Sequence, residues 1–288
     1  MLLIKTRNLF WEIIVMRLRK PVINLLSSVA VYKPWRKALR EKLNYFCEYC
    51  GKTEAYRGMK VYDELSRKCC KLDKNAYYIV SLGLNCFVRI LTTCWKIKRH
   101  KADGELSMPF DLAVHNLPAL IDIISKDFAG YFDDSDFDEE MGCWVNRRYH
   151  IKYVPEKENN RTVFERRLGR RIENFRRMLK DERYCLFVTA CFDDMNFFGE
   201  QITCDDAHIN KLYEVIAEAR GGRPFDLVAV CNDDKLLNCR PEITVCHASL
   251  PYEGYVYMNH GPNHLTDAGS HFEEKIIRTC YNLIAENI

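Results

Sequence analysis

Between residues 76 and 95 the chain passes from an unbroken apolar run to a helical repeat. Tyr77, Tyr78, Ile79 and Val80 are contiguous, aromatic or β-branched, and predict a buried strand. Ser81-Leu82-Gly83-Leu84-Asn85 interrupts the run, with Gly83 free to adopt positive φ and Asn85 a good helix N-cap. From Cys86 the apolar positions Phe87, Ile90, Leu91 and Trp95 recur at helical spacing. A thiol therefore falls where a strand turns into a helix. Unpaired amide N–H groups and the positive end of the helix dipole favour a thiolate at such a place, whereas a lone cysteine after a turn is more often a small buried hydrophobe.

The rest of the pattern extends this beginning. Leu117 to Phe128 reads as a helix, Asp133 to Glu140 as a solvated acidic loop, and Trp144 to Val154 as an extended segment able to form a hairpin strand. Arg161 to Lys180 predicts a basic helix with Phe164, Leu168, Ile172, Phe175 and Leu179 inward. Tyr184–Ala190, Phe225–Cys231 and Ile243–Cys246 read as buried strands. Between the first two, His208–Arg220 is helical, with Leu212, Val215, Ile216 and Ala219 inward and Gly221-Gly222 ending it. The chain closes with a short turn, Leu265-Thr266-Asp267-Ala268-Gly269, and then a helix through Ile284. Strands alternating with helices predict an α/β fold: a mostly parallel sheet with helices on both faces, in three layers. Sites in such sheets form beyond the carboxyl ends of the strands. Cys86 follows one predicted end and Asn232 another.

The 288 residues can bury a sizeable core, and 48% hydrophobic with 29% charged residues describes a globular chain. The net charge of +3 conceals an asymmetry, because residues 1–75 hold 17 Lys/Arg against 7 Asp/Glu. Two parts follow: a basic, mostly helical extension over 1–74 and an α/β domain over 75–288, the part expected to carry catalysis. Residues 2–31 mix apolar clusters with Arg and Lys, as a helix on an anionic membrane face would, and as a helix packed on its own domain also would. Peripheral membrane contact through residues 1–45 is one expectation. Charges flank every early apolar run, and the longest uncharged stretch of the basic extension, Pro21 to Tyr32, is far short of a membrane span. The 14 cysteines lack small-scaffold spacing and read as reduced thiols, hence a cytoplasmic protein, at most apposed to the inner face of the membrane. Nothing in the chain points to nucleic acid.

Three further features carry candidate chemistry. Cys47 and Cys50 have the spacing of half a zinc knuckle, but Cys69 and Cys70, next in line, are adjacent and do not complete it. Asp111, in Met108-Pro109-Phe110-Asp111-Leu112, is explained most simply as a helix cap. Arg166, Arg167, Arg170, Arg171, Arg176 and Arg177 on the basic helix form either a solvated exterior face or an anion site for phosphates.

A nucleophilic thiol needs a base, and His264 in Asn263-His264-Leu265-Thr266-Asp267-Ala268-Gly269 is the best candidate. Here the chain resembles the SGNH (GDSL-type) hydrolases, whose last block places the catalytic His before Asp-Ala-Gly and a closing helix. Gly83-Leu84-Asn85-Cys86 is similar to their first block with Cys for Ser, and Asn232 to their Asn donor after a central strand. The family's Asp three residues before the His is Gly261 here, leaving Asp267 or Asn263 to orient the imidazole. A closer resemblance spans residues 76–235. Ser81 to Cys86, Met108 to Asp111, Asp127-Phe128 and Arg170 to Phe175 occur in the order seen in a bacterial family of unknown function described as papain-like cysteine peptidases. That family's His-Asp pair is replaced by Pro155-Glu156. The Asn-Cys turn is also similar to a capsule-biosynthesis family described as coenzyme A-dependent acyltransferases, and the leader around Trp35 to Arg40 to those of bacterial surface-polysaccharide enzymes.

The resemblance implies a hydrolase or acyltransferase in which Cys86 attacks a carbonyl, His264 moves the proton and Asp267 orients it. Gly83, Asn85 and Asn232 would serve the oxyanion and substrate, with Asp111 and Arg171 also at the site. The substrate would be a peptide, an ester or an acyl-thioester, with a saccharide as an acceptor. No cofactor is required, although coenzyme A or acetyl-CoA as donor would give the arginines phosphates to bind. The competing expectation is a non-catalytic, membrane-apposed module that binds a glycan precursor or a partner enzyme.

Overall fold

In a computed structural model of the chain, the described residues form helices α1 (Thr53–Lys71), α2 (Phe87–Cys94), α3 (Leu117–Ser125), α4 (Arg161–Leu179), α5 (Asp206–Arg220) and α6 (Asp267–Asn287) and seven strands. The structure describes residues 53–83, 86–111, 113–153, 156–192, 204–232, 236, 238–251 and 267–288. The strands are β1 (Tyr77–Ser81), β2 (Ser135–Asp138), β3 (Cys143–Asn146), β4 (Ile151–Tyr153), β5 (Tyr184–Cys191), β6 (Phe225–Cys231) and β7 (Ile243–His247). The main sheet runs β1-β5-β6-β7, every neighbouring pair parallel. This is the expected α/β architecture with helices on both faces.

Period-2 alternation divides the core between those faces. Val80, Leu82, Phe187, Leu227 and Ala229 pack with α3, α4 and α5, against Leu120, Phe175 and Leu212 among others. Ile79, Leu186, Val188, Val228 and Val230 pack with α1, α2 and α6, against Leu65, Leu91 and Ile276. All eight positions of β5 are buried, which explains why that strand reads as a continuous apolar run. The helices start where the sequence supplies caps. Asn116, Asn160 and Asp205 accept amide N–H bonds from Ala119, Val163 and His208. Gly221 ends α5 at φ 56°, a left-handed conformation natural to glycine.

Four expectations change. The acidic run holds strand β2, not only a loop: Ser135–Asp138 pair antiparallel with β3, and β4 completes a three-stranded sheet. That sheet rests on α4 through Trp144, whose ring stacks on Phe164 at 4.4 Å. Helix α3 stops at Ser125, and Asp127 and Phe128 follow at positive φ. Asp267, Ala268 and Gly269 form no separate turn but open α6. Finally, α1 lies before residue 74 yet buries Leu65 and Cys69 in the core beside α2 and α6. Asn85, the expected cap, the basic segment 1–52 and the zinc candidates Cys47 and Cys50 lie outside the described residues. No described helix is long and apolar enough to cross a membrane.

Candidate functional site

Past the end of β1, Gly83 takes φ +70°, which an L side chain adopts only with strain. A Cβ there would come no closer than 3.6 Å to His115 and Leu120, so conformation, not crowding, selects the glycine. Three residues on, Cys86 is itself the N-cap of α2, at φ −75° and ψ 3°, with its carbonyl accepting the Ile90 N–H at 3.0 Å. Its side chain makes no cap bond. Cys86 is half-buried, whereas Cys69, Cys143, Cys185, Cys231, Cys246 and Cys280 are buried. Burial pushes its thiol above the ordinary value, and its own amide N–H and the Arg89 guanidinium pull the other way. In this arrangement desolvation outweighs the helix mouth.

Beneath that turn sits a network of buried charge. Asp111 is fully buried and pairs with Arg89, one helical turn beyond Cys86. Its other oxygen lies 3.3 Å from the ammonium of Lys98, itself 4% exposed. The Met108 N–H donates to Asp111 at 2.8 Å, and Lys98 also donates to the Ile79 carbonyl at 2.8 Å. Lys98 reaches on to Glu105 at 3.5 Å. Asp111 is therefore not a helix cap, a role that Asn116 fills. It folds inward because two cations compensate it.

Aromatic packing ties this corner to the end of the chain. Phe87, next to Cys86, lies 6.1 Å from Phe192 at the end of β5 and 6.0 Å from Phe272 in the first turns of α6. At the other end of α2, the buried Trp95 indole donates to Glu273 at 2.7 Å. The helix directly after His264 in sequence thus packs on the helix that Cys86 caps. His264 and Asn85 lie outside the described residues, and Asp267 is the first residue of α6.

Other nominated residues stand elsewhere. Asn232 follows β6 as expected, half-buried, its carbonyl 3.4 Å from His247 Nδ1. His247 ends β7, with Nδ1 3.7 Å from Cys231 Sγ. The sequence reading passed over it, although the carboxyl-edge rule that found Asn232 reaches it too. Three strand spacings, about 14 Å, separate β7 from β1, so this imidazole serves the opposite side of the sheet edge from Cys86. Arg171 lies on α4, held by Glu156 at 2.7 Å. Nothing in the sequence context of Arg89 marks it, and Lys98, in the basic run Lys96 to Lys101 that reads as a solvated turn, is buried instead.

The reading of every cysteine as a free thiol fails at one pair: Cys191, ending β5, and Cys204, preceding α5, form a disulfide with Cα atoms 5.7 Å apart. Among the described residues, no three His, Cys, Asp or Glu side chains converge as metal ligands. Comparisons of this chain with family models, curated proteins and solved structures give no match.

Proposed function

We propose that the chain is a cysteine-dependent acyl-transfer enzyme, a hydrolase or an acyltransferase, with Cys86 as nucleophile. The observation that carries the reading is a half-buried sulfur at the mouth of α2, just past the carboxyl end of a parallel strand, with Phe87 packed against Phe272 of the helix that follows His264 in sequence. His264 takes the thiol proton as Sγ bonds to the acyl carbon, and returns it to the leaving alcohol, amine or thiol as that bond breaks. Amide N–H groups at the start of α2 face the developing oxyanion. Sequential parallel strands with helices on both faces support an SGNH-like or flavodoxin-like arrangement. The motifs from Ser81 to Cys86 and Met108 to Asp111 support kinship with the papain-like family.

The test is to trap the covalent intermediate. An activated acetyl ester or thioester should leave one acetyl group on the Cys86 peptide and none in Cys86→Ser. An enzyme that turns over such substrates equally well in both forms does not use this sulfur.

One observation favours a second reading, a non-catalytic binding module: burial pushes the Cys86 thiol up instead of down. That reading predicts that Cys86→Ser and His264→Ala leave the biological role intact.

A further inference from the structure

The outer face of α4 presents Arg166, Arg170, Glu173 and Arg177 as one exposed row. Together with Lys101 and residues 105–107 of the facing loop, the row lines a groove of about 890 Å³. The carboxylates of the groove are already engaged. Glu105 faces Lys98 at 3.5 Å, and Glu173 takes Arg176 at 2.7 Å. Glu156, 3% exposed, holds Arg171 at 2.7 Å and Arg167 at 3.2 Å. Arg166 and Arg170 pair with no carboxylate of the described residues. The groove is thus a cationic surface that the chain does not neutralise, with one arginine fork fixed at its buried edge.

Gly169 lies next to this pair of arginines, in the interior of a 19-residue helix. Glycine weakens a helix interior relative to alanine. A Cβ at 169 would meet nothing within 4 Å, so no neighbour in the chain requires its absence. A ligand brought against the backbone there would require it.

We infer that this groove binds a ligand carrying two adjacent phosphates, with Arg166 and Arg170 each gripping one and Gly169 admitting it close to the helix. Side chains at i and i+4 stand about 5–6 Å apart at Cβ, within reach of two phosphates that share a bridging oxygen. The planar guanidinium matches phosphate oxygens two at a time. The inference does not depend on the reactivity of Cys86. If the groove feeds the Cys86 reaction, the phosphates belong to the group-transfer substrate or its carrier.

Calorimetric titration of the full chain with inorganic pyrophosphate tests it, with orthophosphate at matched ionic strength as comparator. Pyrophosphate should bind more tightly, and Arg166→Gln with Arg170→Gln should weaken it about tenfold or more. Gly169→Ala should raise Tm by about 2–4 °C and still weaken binding, which separates ligand contact from folding. Absence of pyrophosphate binding overturns the inference, as does affinity unchanged in the double variant or in Gly169→Ala. Adenosine diphosphate in solution and vesicles bearing a lipid diphosphate identify the source, and arginine-dependent binding of either supports the site. Preference for an RNA oligonucleotide that pyrophosphate cannot displace overturns it. Cys86→Ser should bind pyrophosphate like the unaltered chain, so failure of the thiol chemistry leaves this result readable.

Discussion

Asp111 and Arg89 form an ion pair whose carboxylate is wholly buried, one turn along the helix that Cys86 caps. Lys98 joins from the other side at 3.3 Å, so one carboxylate compensates two cations. Removing it takes the buried carboxylate from Arg89 and leaves Lys98 facing Glu105 at 3.5 Å. Asp111→Ala should therefore cost roughly 3–5 kcal/mol in urea unfolding, and Asp111→Asn nearly as much. Adding Lys98→Met to Asp111→Ala should recover part of the loss. A cost below about 1 kcal/mol would put the pair in the class of surface ion pairs, against the burial described.

Arg220 gives the sharpest stability prediction. Its guanidinium is fully buried, with Nη1 donating to the carbonyls of Met178, Leu179 and Asp181 and Nη2 to those of Arg183 and Pro224. It thereby holds the end of α4, the turn into β5 and the start of β6 together. The four Nη hydrogens share these five carbonyls, whereas lysine has no fork and only three donors on one nitrogen. Arg220→Lys should lose at least about 3 kcal/mol, and thermal unfolding of the two proteins side by side measures it.

His115 sets part of the acid limb of stability. It is buried against the Tyr131 hydroxyl at 2.8 Å, and burial pushes its imidazole from the ordinary 6.5 down to about 3. The unfolded chain binds that proton below about pH 6.5 and the folded chain does not. The sign follows: this contribution is intact above pH 6.5 and is lost progressively toward pH 3, at up to about 1.4 kcal/mol per pH unit. Between those limits, unfolding free energy should fall less steeply with acid in His115→Gln than in the unaltered chain. Equal slopes would mean that the imidazole is protonated in the folded state.

The sheet was the most legible part of the chain. Phe225–Cys231 emerges at its expected bounds, and α4 buries the five inward positions that its spacing marks. Such patterns report burial directly, because apolar positions recur at the period of the element. Asp111 was misread for a reason of the same kind. A lone acid after an apolar pair looks like a cap, and only the tertiary arrival of Arg89 and Lys98 distinguishes it from one. Ser135–Asp138 carries too much charge to read as a strand, and forms one because Phe137 and β3 give it a partner. At the site, the strand-to-helix turn placed Cys86 correctly. Burial raises its thiol, and the turn's own pattern does not announce that.

The central claim is that Cys86 is a nucleophile activated by His264, and the rate of its alkylation tests this most directly. Cys70 and Cys94 are exposed and serve as internal references in the same protein. With iodoacetamide at neutral pH and peptide mass spectrometry, Cys86 should react faster than both despite its burial. His264→Ala should bring it below them, because desolvation then acts on the thiol without a base to oppose it. A Cys86 slower than Cys70 and Cys94 in the unaltered chain, and indifferent to His264→Ala, would contradict the account.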